Sequence, residues 1–393
     1  MEEQVRVAIV GLGFGAEFIP IYQRHPNAQL AAICRRDRAG LDEVGDTFGV
    51  DKRYTSYEEL LDDPDIDAIH INTPIPEHAT QSIAALKAGK HVACTVPMAT
   101  TIEDCEAIVD AAQAAGKNYM MMETVVYSRE FLFVQDMARS GELGRIQFLR
   151  GSHQQEMGGW PGYWAGLPPM HYSTHAVSPL LTLAGRPAKS VSCVGSGRID
   201  EDLIAAYGSP FAIESAHLRI DGSDVTAEVT RSLFNTARQY RESFDVYGSR
   251  KSFEWEQMHG SGFVIHNGET SSRVAVPDFA ERLPEEIRPF TRHGVYDQEH
   301  AHLSFLQGSG HGGSHPHLVH AFVSSIIENR PAAIDEFTAA NWTSVGIVAH
   351  ESAMDCGRWI DLPAFSLRSV DAAKVQLEPQ NRSSTLEKPL PFV

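Results

Sequence analysis

Val5-Arg6-Val7-Ala8-Ile9-Val10-Gly11-Leu12-Gly13-Phe14-Gly15-Ala16 is the stretch on which the fold turns. Six residues of compact, β-prone apolar sequence run into G-x-G-x-x-G/A, and a helical pattern follows over 16–23. Gly11 permits a tight turn, Gly13 lets the backbone approach a pyrophosphate, and Ala16 allows the helix to pack closely on the strand. The loop Gly11, Gly13, Phe14, Gly15 and Ala16 is therefore a candidate dinucleotide cradle, with helix N–H groups facing the anion.

Working outward, apolar strand runs recur at 29–34, 68–72, 91–94 and 118–122, separated by helical stretches at 39–48, 56–61, 76–88 and 102–115. Strands alternating with helices of this length predict right-handed crossovers and a doubly wound parallel sheet. After about residue 145 the pattern changes. Runs at 146–152, 189–194, 213–220, 225–234, 242–247, 252–256 and 262–266 follow one another as strands, which predicts an open, mostly antiparallel sheet. Helices starting near Ser173 and over 317–328 and 337–356 are placed to cover it. The fold class read from this is α/β: a Rossmann-type domain over 1–124, an α+β domain over 125–365 for substrate and subunit contacts, and a polar arm over 366–393.

Of 393 residues, 33 are Lys or Arg and 51 Asp or Glu, for a formal charge of −18. Such a surface repels phosphate backbones and anionic lipid, which excludes nucleic acid and membrane partners. Five scattered cysteines without a CxxC pair fit reduced thiols and a cytoplasmic protein. The open sheet face predicts a homo-oligomer, a dimer or tetramer. At the end of the second strand the chain reads Arg35-Arg36-Asp37. An acid there binds the ribose diol of NAD, whereas Arg36 can pair with the 2′-phosphate of NADP, so both cofactors stay open.

The glycine loop, Thr73-Pro74 with His78, and the run Ala88-Gly89-Lys90-His91-Val92 together resemble the Gfo/Idh/MocA oxidoreductases. The resemblance implies a Rossmann domain followed by an open-sheet domain, and hydride transfer between a nicotinamide, with NAD slightly favoured, and a secondary hydroxyl of a small sugar or glycoside. It places Thr73, Pro74, His78, Val96 and Pro97 at the cofactor. The family's E-K-P lysine is replaced here, in Thr95-Val96-Pro97. That departure, with Met120-Met121-Met122-Glu123, Tyr127 with Arg129, and Tyr172-x-Thr174-His175, resembles the NAD-dependent glycosidases of glycoside hydrolase family 109 and glycoside 3-dehydrogenases. The branch's catalytic His carries over to His175. Its catalytic Tyr lies on the strand matching Gly151-Ser152-His153, which has no Tyr.

Oxidising a secondary alcohol needs a base at the hydroxyl and the nicotinamide C4 across the carbinol carbon. His175 is the candidate base. His171, at i, i+4 to it, shares a face if one helix holds both, and Glu123 at the end of a parallel strand points to the edge where ligands bind. Tyr127, His153, Trp160, Tyr172 and His317 are candidate substrate contacts; Trp160 sits with Tyr163 and Trp164 in a Gly/Pro-rich loop, and aromatic faces suit sugar rings. Eighteen histidines, seven of them between His293 and His320, add a further element. With Glu123, His171 and His175, that run offers a divalent-metal set, weighed against a solvated polar loop. The leading expectation is an NAD(P)-dependent oxidoreductase acting at C3 of a sugar or glycoside. Alternatives are a redox glycosidase that returns its cofactor unchanged and a non-catalytic nucleotide sensor.

Overall fold

A computed structural model describes residues 4–158, 167–238, 240–292 and 310–366. The first sheet holds β1 (Val5–Val10), β2 (Ala28–Cys34), β3 (Arg53–Tyr54), β4 (Ala68–Ile71), β5 (His91–Cys94) and β6 (Tyr119–Met121), in the order β3-β2-β1-β4-β5-β6. Every pairing in it is parallel. Helices cover such a sheet on both faces, which is why β4 is buried along its whole length and β1 along all but one residue. The strand order reverses between β1 and β4, and the crevice at their carboxyl ends is where ligands bind in this architecture. The helix expected over 16–23 begins as a 3-10 turn, Gly15–Phe18, before the α-helix Ile19–Arg24.

The second sheet has nine strands: β7 (Ile146–Gln155), β8 (Ala188–Ser196), β9 (Ile213–Ile220), β10 (Thr226–Ser232), β11 (Tyr240–Gly248), β12 (Ser252–Glu254), β13 (Phe263–Asn267), β14 (Thr270–Val274) and β15 (Ile360–Asp361). Their order is β14-β13-β12-β11-β7-β10-β9-β8-β15. It is antiparallel except where β7 runs parallel to β10, so β7 lies between β10 and β11 and separates strands that follow one another in the chain. The short β3, β14 and β15 and the helices Arg129–Arg139 and Glu201–Tyr207 were not anticipated. The first three carry too few residues to show a period, and neither helix was separated from its surrounding loop by the apolar pattern.

Two helices lock this sheet to the first domain. Thr174–Ala184 crosses β7 at Gly151, where a Cβ would stand 2.2 Å from the Ala176 carbonyl oxygen, so only glycine allows that approach. Glu336–Met354 is buried on most sides, packing against β8, β6 and the helix Ile102–Ala115. Met121 N–H donates to the Ile334 carbonyl at 3.0 Å just before it, tying the end of β6 to the C-terminal segment. Trp160, Tyr163, Trp164, three of the seven clustered histidines, and the tail from 367 onward lie outside the described residues. All five cysteines are free thiols. No helix among the described residues is long and apolar enough to cross a membrane.

Candidate active site

β6 ends at Met121, and two residues later Glu123 is fully buried at the carboxyl edge of the sheet. Its Oε1 lies 2.6 Å from His175 Nδ1 and accepts the Val125 N–H at 3.0 Å. The carboxylate therefore fixes the imidazole with Nδ1–H as donor and Nε2 turned the other way. Nε2 lies 3.3 Å from the Tyr172 hydroxyl and 3.5 Å from Glu242 Oε1.

The second sheet supplies the far wall through its register. His153 on β7 is directly opposite Arg231 on β10 and Glu242 on β11, so the three side chains form one row on the face turned toward Thr174–Ala184. Tyr240, two residues before Glu242, shares that face and donates its hydroxyl to Glu242 Oε1. Arg231 is the largest fully buried side chain described. It donates to the carbonyls of Tyr172 (2.8 Å), His153 (3.2 Å) and Ser232, and to Gln155 Oε1 (3.1 Å), which frames the site from beneath.

His311 closes the cluster from the C-terminal segment. Its ring stacks on His175 at 6.1 Å, and its Nδ1 lies 3.5 Å from Glu242 Oε2, from the Tyr240 hydroxyl and from Thr124 Oγ1. The residue adopts φ +41°, in the left-handed region that side-chain-bearing residues seldom occupy and histidine tolerates better than most. Phe14 of the glycine loop packs edge-on against His311 and His315 at 5.9 and 5.5 Å. The nucleotide loop is thus in contact with the cluster.

Charge is tightly balanced here. Burial alone would lower the His175 pKa, but Glu123 and Glu242 outweigh it and hold it at about 9. Burial favours a neutral Glu242, yet His175 and His311 pull it well below the ordinary carboxylate range. Burial, reinforced by the Arg231 charge, keeps His153 neutral, and neither of its ring nitrogens has a hydrogen-bond partner among the described residues. Donor atoms of His153, His175 and Glu242 all lie within 4.8 Å of one another, a set that can hold a metal ion.

His175, Glu123, Tyr172 and His153 are brought together as candidates from sequence, whereas others sit elsewhere. His171 is not a partner of His175. The segment Pro169–Tyr172 is a 3-10 turn broken at Ser173, so the i, i+4 relation fails and His171 packs edge-on against His350 at 5.4 Å. There burial and His350 depress its pKa to about 4. His317 is also displaced. The helix begins at His315, and His317 lies near Arg282, His320 and Asp278, so the histidine that reaches the site is His311. Among the described residues the metal-capable set is His153, His175 and Glu242; His171, expected with Glu123, His175 and the histidine-rich run, stands away from it. Tyr127 lines a groove with Leu132, Gln135, Leu181 and Trp342. Trp160 falls outside the described residues.

At the nucleotide end, His78 is fully buried and bridges two loops, with Nε2 2.9 Å from the Thr73 carbonyl and Nδ1 2.8 Å from the Pro97 carbonyl. It positions Thr73, Pro74, Val96 and Pro97 and has no surface of its own to offer a ligand. Asp37 caps the helix Arg38–Phe48 by accepting the Gly40 N–H at 2.8 Å, Arg35 lies 3.7 Å from Asp37, and Arg36 is exposed beside them.

Glu242, Tyr240 and Arg231 were missed from sequence, and His311 was weighed only as a member of the histidine-rich run. The signal existed on β11, where Phe244 and Val246 alternate as core residues. Extending that period back by two and four residues puts Glu242 and Tyr240 on the same face.

Residues 5–123 match the model of the Gfo/Idh/MocA oxidoreductase family, described as an NAD-binding Rossmann fold. The resemblance read from the sequence thus holds, and the first domain is of the NAD-binding type. A glycosyl hydrolase family 109 protein of Shewanella baltica is 26% identical, covering 94% of this chain and 87% of that relative. An α-N-acetylgalactosaminidase of Shewanella oneidensis is 25% identical, covering 95% and 87%. Among solved structures, levoglucosan dehydrogenase in complex with NADH and levoglucosan superposes with a TM-score of 0.72 at 19% identity, covering 92% of this chain and all of that one. This last likeness is one of fold.

Proposed function

We propose that this chain is a nicotinamide-dependent oxidoreductase that acts on a secondary hydroxyl of a sugar or glycoside, at C3. The observation that carries the reading is the Glu123–His175 pair, its Nε2 turned toward Tyr172 and Glu242, in contact through His311 with the loop that cradles a dinucleotide. A bound nicotinamide supplies the hydride acceptor. In the oxidation direction the neutral His175 ring, whose share grows as pH rises toward about 9, would take the hydroxyl proton at Nε2 while the carbinol carbon gives up its hydride to that acceptor and becomes a ketone. In reduction the protonated ring returns that proton to the carbonyl oxygen. Glu123 holds the ring in place through either change, and Tyr172 and Tyr240 offer hydroxyls to the neighbouring sugar oxygens.

The exposed Arg36 favours neither cofactor decisively, since it can pair with a 2′-phosphate or stack on adenine; the family model and the NADH-bound neighbour favour NAD. A homo-oligomer in the cytoplasm, assembled through the second sheet, completes the reading. A redox glycosidase is the second reading, favoured by a specific observation. The phenol missing from β7 is supplied by Tyr240 on the adjacent strand, hydrogen-bonded to Glu242, and the curated relatives carry glycosidase names.

The test is a set of alkyl and aryl glycosides offered with NAD⁺ or NADP⁺. A ketoglycoside with equimolar reduced cofactor is expected. No product from any sugar with either cofactor would overturn both enzymatic readings and leave the nucleotide sensor.

A further inference from the structure

We infer that His153, His175 and Glu242 form a binding site for a single divalent transition-metal ion of the zinc type, at the same position as the proposed substrate hydroxyl. Three features carry it. The donor atoms converge: Glu242 Oε1 lies 3.5 Å from His175 Nε2 and 3.9 Å from His153 Nε2, close to the about 3.3 Å between ligands around a tetrahedral ion at 2.0–2.1 Å. His153 is buried with both ring nitrogens unpartnered among the described residues, although the site around it is rich in hydrogen-bonding groups. A buried imidazole normally finds a partner, and a lone pair aimed into a cluster of donors and acceptors is what a cation would use. Finally, Glu123 accepts from the far nitrogen of His175 at 2.6 Å, the carboxylate–histidine arrangement that orients a metal-ligating ring and raises its basicity.

Two imidazoles and one carboxylate select a borderline ion such as Zn²⁺ over Mg²⁺, and three protein ligands leave a position open. The Tyr172 hydroxyl lies 3.3 Å from His175 Nε2 and the Tyr240 hydroxyl donates to Glu242 Oε1, so both phenols stand beside the ligand atoms. What the ion does rests on the reading above: at His175 Nε2 it takes the place of the proton, so a zinc-loaded chain would hold the sugar hydroxyl by its oxygen with His175 as a ligand, and only the zinc-free chain would use His175 as the base. The site itself does not depend on that reading.

The experiment uses the full chain, stripped with dipicolinate and saturated with NAD⁺, titrated with Zn²⁺ by calorimetry. Co²⁺ gives a parallel visible spectrum of a four- or five-coordinate nitrogen–oxygen site. One ion per chain is expected. Glu242→Gln and His153→Ala should each weaken binding at least about tenfold with folding and NAD⁺ affinity retained, and Glu123→Gln by about tenfold through its hold on His175. His171→Ala, outside the cluster, should leave it unchanged. No stoichiometric Zn²⁺, or equal affinity in His153→Ala and Glu242→Gln, would overturn the site. Zinc bound without ketone from any glycoside would leave the site standing and sink the oxidoreductase reading. Ketone formation by protein that binds no zinc would do the reverse.

Discussion

The nucleotide loop is a structure of backbone, and the His175 cluster is a structure of side chains. The loop comes from one continuous stretch, 5–16, and what matters there is the space left by absent Cβ atoms. The cluster draws on the end of β6, the turn and helix after Pro169, three neighbouring strands of the second sheet and the segment at His311. What matters in the cluster is charge and hydrogen bonding held in register. Damage to the loop should act through cofactor affinity or local backbone strain, and damage to the cluster through chemistry or through the buried frame beneath it.

The largest effect belongs to His175→Ala. Loss of a positioned acid–base group costs about 10²–10⁴-fold in rate, while nucleotide affinity should stay within a few-fold because the glycine loop is untouched. Single-turnover kinetics beside fluorescence titration of NADH separates the two; a variant within a few-fold of wild-type rate would remove His175 from the reaction. Next comes Arg231→Met. It leaves buried carbonyls of Tyr172, His153 and Ser232 without a donor, at about 3 kcal/mol in total for groups of this kind, read as a fall in the urea midpoint. An unchanged midpoint would mean that Arg231 is not the frame of the site.

The two loop glycines sharpen the contrast within the loop itself. Gly11 has φ +83°, and a Cβ on it would stand 2.5 Å from the Asn72 carbonyl oxygen, so Gly11→Ala should destabilise the fold by about 1–3 kcal/mol. A Cβ on Gly13 meets nothing within 4 Å. Gly13→Ala should therefore melt like wild type yet bind the dinucleotide about tenfold more weakly, because the methyl fills space the pyrophosphate needs. Equal nucleotide affinity in Gly13→Ala would show that the loop does not approach a phosphate.

A pH dependence comes from the buried histidines, His25, His70 and His91 in the first domain and His171 in the second. Burial depresses His25 and His91 to about 4 and His70 to about 3. Their neutral forms are favoured in the folded state, so their contribution is complete above the ordinary histidine value near 6.5 and is lost as pH falls through the folded values. Urea midpoints should drop between pH 6.5 and 4.5, and a flat profile would contradict the burial of these rings.

The parallel sheet was readable because its determinants are local: an apolar strand, a glycine turn, a helix, repeated. β9 was placed to the residue, since turns bound it on both sides. The order of the second sheet was not readable, because nothing in β7 states that it pairs in parallel with β10 across some 70 residues of chain. Half of the site shared that fate. His175 and Glu123 stand at element ends where ligand groups belong, and the sequence singles out both as candidates. Glu242 and Arg231 become neighbours of His153 only through the β10–β7–β11 register, and His311 enters through a left-handed backbone turn that no residue pattern announces. His171 was misplaced by assuming one continuous helix where Ser173 breaks it.

The central claim is that Glu123–His175 and the nucleotide loop serve one redox reaction on a sugar hydroxyl. It is tested most directly by incubating the purified protein with aryl glycosides and NAD⁺ while following cofactor absorbance and product mass together. A ketoglycoside appearing mole for mole with NADH is the predicted result. Free aglycone and unoxidised sugar with no net NADH would contradict it and establish the redox glycosidase instead.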